Sequence, residues 1–98
     1  MIEKKNVFEL AKQILRSGTS IGANVEEAIG AQSKKDFFAK ISVAYKESRE
    51  TQYWIRLLSD SGYLTKESAD LLLGRCEELS KILSKIQLST KKSIIAHS

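Results

Sequence analysis

The chain reads as an all-α protein: an antiparallel up-and-down helical bundle with three helices. Three observations lead there. Apolar residues recur at alternating spacings of three and four in three separate stretches, the period of a helix with one face turned to a core. There is no proline among 98 residues and only five glycines, a composition that favours long uninterrupted helices over a sheet with many turns. The stretches are joined by short segments at 30–33 and 62–65, and short connections make consecutive helices antiparallel neighbours.

The first helix is expected over 7–29. Val7, Ala11, Ile14, Gly18, Ile21, Val25 and Ala28 form its stripe, which Phe8, Leu15, Gly22 and Ile29 widen on one side. Gly18 and Gly22 fall on this stripe, where a missing side chain lets another helix approach closely, so both are candidate packing or interface residues. Gly30 is expected to end the helix in the left-handed conformation.

The second helix is expected over 34–61. Ser33-Lys34-Lys35-Asp36 reads as a capping box, and Gly62 as the C-terminal cap. Phe37, Ile41, Ala44, Ser48, Thr51, Ile55 and Leu58 make the stripe. Phe38 and Tyr45 add apolar surface on one flank; Val43, Trp54 and Leu57 add it on the other. Two intrachain neighbours do not easily bury so much, which makes Phe38, Tyr45 and Trp54 candidate interface residues of a homo-oligomer. The third helix is capped by Thr65 and expected over 66–88, with Ala69, Leu72, Cys76, Leu79, Leu83 and Ile86 inward. Residues 89–98 carry no period and read as a frayed tail, His97 included.

Composition narrows function. Size scaling for an 11.0 kDa chain gives about 5,600 Å² of folded surface, enough for one domain over 1–98 with a modest core. A single cysteine, Cys76, excludes an intrachain disulfide framework and a Cys-rich zinc site. A single histidine, His97, removes His-paired nucleophiles and the two-histidine metal motifs. The longest uncharged stretch, Ser17 to Val25, is far short of the about 20 residues of a membrane span. The N-terminus lacks the apolar core of a signal peptide, so the expected compartment is the cytoplasm, with Cys76 reduced.

No motif carries chemistry. Arg16 to Gly22 is glycine- and hydroxyl-rich, but it lacks the Gly-Lys-Ser/Thr of a phosphate loop and lies on a helical stripe. Glu47 and Glu50 are spaced i,i+3 and read as ion-pairing partners sooner than as a catalytic or metal-binding pair. Glu26 and Glu27 sit at a helix C-terminus, where the dipole disfavours carboxylates, and so suggest a basic partner. The chain is expected not to be an enzyme, with no cofactor and no metal. Its net charge is +4. Lys35, Lys46, Arg49 and Arg56, with Tyr53 among them, share one face of the second helix and are the candidate nucleic-acid contacts.

The run Leu15-Arg16-Ser17-Gly18-Thr19-Ser20-Ile21-Gly22-Ala23-Asn24-Val25-Glu26-Glu27-Ala28 resembles the signature of the bacterial four helix bundle proteins, also called 23S rRNA-intervening sequence proteins. Gln32 to Phe37, Lys46-Glu47, Glu50 to Ile55 and Gly62-Tyr63-Leu64 continue the likeness in order. The resemblance covers roughly 7–90. It implies an up-down-up-down bundle assembled as a homopentamer, similar to the nucleic-acid-binding accessory protein of diversity-generating retroelements, and no established enzymatic activity. The family pattern begins with another helix ahead of Val7, so the three helices expected here are those of a family bundle without its first, either because the chain starts late or because that helix is absent. The expected function is a non-catalytic scaffold that self-associates and binds RNA or a nucleic-acid enzyme. The alternative is a purely structural protein–protein interaction module.

Overall fold

The structure, a computed structural model, describes residues 4–97. Three helices follow one another: α1 (Lys4–Ile29), α2 (Lys34–Asp60) and α3 (Lys66–Ala96). The chain is helical throughout, with no strand among the described residues.

Helix starts follow the capping chemistry read in the sequence. The Ser33 hydroxyl accepts from the Asp36 backbone N–H at 3.0 Å, and the Thr65 hydroxyl accepts from that of Ser68 at 3.1 Å. The two glycine ends differ. Gly62 has φ +84°, with its own N–H bonded to the Ser59 carbonyl and that of Tyr63 to the Leu58 carbonyl, so α2 closes in a Schellman motif. Gly30, expected to do the same for α1, does not adopt a positive φ. The turn is made instead by Gly30 and Ala31 donating to the carbonyls of Glu26 and Ala28.

The tail is also corrected. Residues 89–96 continue α3, and His97 follows as its C-cap rather than fraying; Met1–Glu3 and Ser98 lie outside the described residues. The antiparallel register explains the continuation. It places the last turns of α3 beside the start of α2, where Lys34 Nζ donates to Ser93 Oγ at 2.7 Å and Ile94 is half-buried.

α2 is the middle helix. It packs along α1 on one side and along α3 on the other, while among the described residues no Cα of α1 comes within 8 Å of one of α3. The result is an open layer measuring 52 × 21 × 15 Å. Ile21 and Ala28 of α1, Ile41 and Ala44 of α2 and Leu83 of α3 form the core cluster.

Beside that cluster runs a seam of buried polar side chains: Ser17, Ser48, Thr51, Gln52 and Ser80. Between α2 and α3, Gln52 Nε2 donates to Ser80 Oγ at 2.7 Å, Ser80 Oγ lies 2.7 Å from Ser48 Oγ, and Ser48 donates to the Tyr45 carbonyl at 2.7 Å. Between α1 and α2, the hydroxyls of Ser17 and Thr51 lie 2.8 Å apart. These short side chains let the backbones approach, and no buried side-chain nitrogen or oxygen among the described residues lacks a partner. No described helix is long and apolar enough to cross a membrane.

The unequal glycines yield a test. Gly62→Ala forces a side chain into the left-handed region and is expected to cost about 1 kcal/mol of stability. Gly30→Ala is expected to cost nothing, because its new Cβ meets only the Glu27 carbonyl at 3.9 Å. Urea unfolding followed by circular dichroism measures both.

Candidate interaction surfaces

α1 buries a narrower face than its stripe suggests. Leu10, Ser17, Ile21 and Ala28 are buried, whereas Phe8, Leu15 and Ile29, spaced by seven and fourteen, are 64%, 68% and 73% exposed. Ala11, Gly18 and Gly22 lie exposed between them on the same side. Gly18 and Gly22 were expected on the buried stripe, but no heavy atom lies within 4 Å of a Cβ built on either. Within the chain, no helix uses the close approach they offer.

α3 presents the matching surface. Leu72 and Ile82 are 42% and 50% exposed and flank Leu79 and Ile86, which pack against the core cluster. Val25 packs against that same cluster from α1, next to the Gly22 and Ile29 side. The two exposed stripes therefore lie on the same side of the layer.

The flanks of α2 are better covered than sequence arithmetic implies. Phe38, Tyr45 and Trp54 are all half-buried. Tyr45 packs against the core cluster, and Trp54, with Leu57, adjoins Leu10 and Gln13 of α1. A middle helix has a neighbour on each flank; the outer helices have one apiece. The deficit of burial falls on α1 and α3.

The predicted basic residues stay on the outer side of α2, and all four are exposed. They are not equivalent. Arg56 pairs with Glu77 of α3 at 3.7 Å, and Arg49 Nη1 donates to the Tyr45 hydroxyl at 3.4 Å. Lys35 and Lys46 have no partner among the described residues. Two further cations, Lys81 and Lys85 of α3, lie across a groove from Arg49. No periodicity within α2 reveals them. They are brought there by the register that sets Ser48 opposite Ser80 and Ser42 opposite Gln87.

Glu47, Glu50 and Glu27 find partners inside the chain; Glu26 has none among the described residues. Arg16 of α1 bridges Glu47, at 3.4 Å, and Glu50, which also accepts from Trp54 Nε1 at 3.2 Å. A guanidinium thus occupies the position a cation ligand would need. Glu27 pairs with Lys40 at 3.2 Å, a basic partner on the neighbouring helix rather than on another chain.

A flat three-helix layer with an open apolar side and a basic outer side is a surface-presenting helical module. The chain belongs to the 23S rRNA-intervening sequence protein family, whose model matches residues 1–85. It is similar to the crystal structure of a protein of unknown function from the S23 ribosomal protein family of Bacteroides thetaiotaomicron VPI-5482. The two share 47% identity over 80% of this chain and 72% of that one, with a TM-score of 0.78. A search of the curated proteins finds no match.

Cys76 is half-buried on the α2 side of α3. Burial first, and then the negative charge of Glu77, push its thiol above the ordinary cysteine range. The thiolate is therefore scarce near neutral pH. Alkylation by iodoacetamide at pH 8 is expected to run several-fold slower in the folded protein than in urea, and to quicken modestly in Glu77→Gln. Equal folded and unfolded rates would contradict this environment.

Proposed function

We propose that this protein is a non-catalytic helical scaffold that self-associates through the open apolar side of α1 and α3 and presents its basic side to nucleic acid. The observation that carries the reading is the uncovered apolar surface. The chain exposes 6819 Å², where size scaling gives about 5,600 Å² for a compact monomer of this mass. That total counts polar and apolar surface together; within it Phe8, Leu15, Ile29, Leu72 and Ile82 are each 42–73% exposed on the open side, the kind of apolar patch that interfaces cover.

A second copy suits this side by charge as well as by shape. Phe8, Leu15, Gly22 and Ile29 repeat every seven residues, the spacing of a helix seam. Lys12, held within the chain only by an exposed pair with Glu9 at 3.6 Å, lies toward one end and Glu26 toward the other, so two antiparallel copies of α1 bring each lysine to the partner's glutamate. Glu26 has no partner among the described residues. The basic side of α2 remains outward in such an assembly. The competing reading, a protein-interaction module that ignores nucleic acid, shares the apolar side and differs only in the basic one.

Light scattering coupled to size exclusion tests self-association. The parent is expected to elute at a multiple of 11.0 kDa, and the same run reads the stoichiometry against the pentamer that the resemblance implies. Leu15→Asp is expected to weaken assembly at least tenfold, about 1.4 kcal/mol, with helicity unchanged. Gly22→Leu should also weaken it without harming the fold, because its Cβ meets no neighbour within the chain. A folded parent monomer at high micromolar concentration would overturn the reading.

A further inference from the structure

We propose that the groove between α2 and α3 binds the phosphate backbone of a single nucleic-acid strand, with Arg49, Lys81 and Lys85 as the phosphate contacts. This rests on the nucleic-acid part of the proposed function and replaces a diffuse basic face with a defined site.

Charge is the first reason. The groove holds about 410 Å³ and is walled by Tyr45 and Arg49 on one side and by Glu77, Lys81, Ser84 and Lys85 on the other. Its single carboxylate, Glu77, is already engaged by Arg56 at 3.7 Å. Lys81 and Lys85 have no partner among the described residues. The cavity therefore keeps three cationic heads against one carboxylate that a fourth cation, Arg56, already shares, and a polyanion supplies the missing charge.

Geometry is the second. Lys81 and Lys85 stand one helical turn apart, about 6 Å along the axis, a spacing comparable with that of successive phosphates on an extended strand. Arg49 faces them and is steadied by the Tyr45 hydroxyl at 3.4 Å. The floor is inert. Buried Gln52 donates to Ser80 Oγ and to the Cys76 carbonyl and accepts from Arg56, and Ser80 also meets Ser48, so the floor is fixed and already satisfied. Binding falls to the walls, where guanidinium and ammonium groups suit phosphate oxygens.

The same lining excludes other ligands. No aliphatic side chain lines it, so an acidic peptide would find charge contacts there without a seat for its apolar side chains. The furrow between two packed helices, whose axes lie about 8–10 Å apart, is too narrow to admit a duplex. No group is placed to read base edges, so binding is independent of sequence and of sugar type.

Fluorescence anisotropy with labelled oligouridylate and oligothymidylate, in low salt, tests the site. Both probes are expected to bind the parent with similar affinity, with a log–log salt slope near about −2 for three contacts to a single strand. Lys81→Glu with Lys85→Glu should weaken binding at least tenfold with circular dichroism unchanged. Lys66→Gln, at the start of α3 and outside the groove, should change it less than about threefold. Glu77→Gln should tighten binding several-fold by removing the carboxylate and releasing Arg56. If the parent does not bind either probe, the nucleic-acid reading itself fails. If the parent binds and the Lys81/Lys85 pair can be reversed without loss, the groove fails while that reading stands. Displacement of the probe by polyaspartate at equal charge concentration would overturn the assignment to phosphate.

Discussion

The fold depends on a seam of short hydroxyl side chains in the middle of α2. Ser48 and Thr51 leave room for the neighbouring backbones to come close, and Ser17 and Ser80 meet them from α1 and α3. Each such hydrogen bond adds only about 1 kcal/mol net, but a buried hydroxyl left unpaired costs about 1–3 kcal/mol. The penalty for a slip in register is therefore larger than the reward for any one bond. Gln52 extends the seam to α3, and the ion pairs of Arg16 with Glu47 and of Lys40 with Glu27 hold the same alignment along α1.

Fixing both neighbours to α2, and neither to the other, has a direct consequence. The core cluster is small, and α1 and α3 each leave one side of their apolar surface in solvent. On the opposite side of the layer, the register that satisfies Ser48 and Ser80 also sets Lys81 and Lys85 across from Arg49. The groove and the open side are two outcomes of one alignment. A change that shifted α3 by one turn along α2 would scatter the cations and unpair the seam together.

Much of this was legible in the sequence. Three periods gave three helices, Ser33 and Thr65 marked two starts, and Gly62 marked a stop. The family resemblance held, and the residues that carry it run through the first two helices to the turn at Gly62-Tyr63-Leu64. What the period does not contain is which side of a helix another element covers. Phe8, Leu15 and Ile29 look like core residues because they are apolar at helical spacing, yet their exposure depends on α1 having one neighbour. Gly30 and Gly62 look alike as letters and differ only in the φ that the following segment requires. The helical tail of α3 was missed because its contacts, Ser93 with Lys34, are made across the whole length of the hairpin. Lys81 and Lys85 were missed for the same reason: they join Arg49 only after α3 has paired with α2.

In the proposed assembly the open side of α1 and α3 becomes a buried surface once copies of the chain meet. Hydroxyl-radical footprinting reads it directly, side chain by side chain, at concentrations above and below assembly. Phe8, Leu15 and Ile82 are expected to lose reactivity several-fold on concentration, while Tyr53, on the outer side of α2 and 56% exposed, stays equally reactive throughout. Reactivity at Phe8, Leu15 and Ile82 that stays at the level of free side chains across the whole range, in a folded protein, would contradict it.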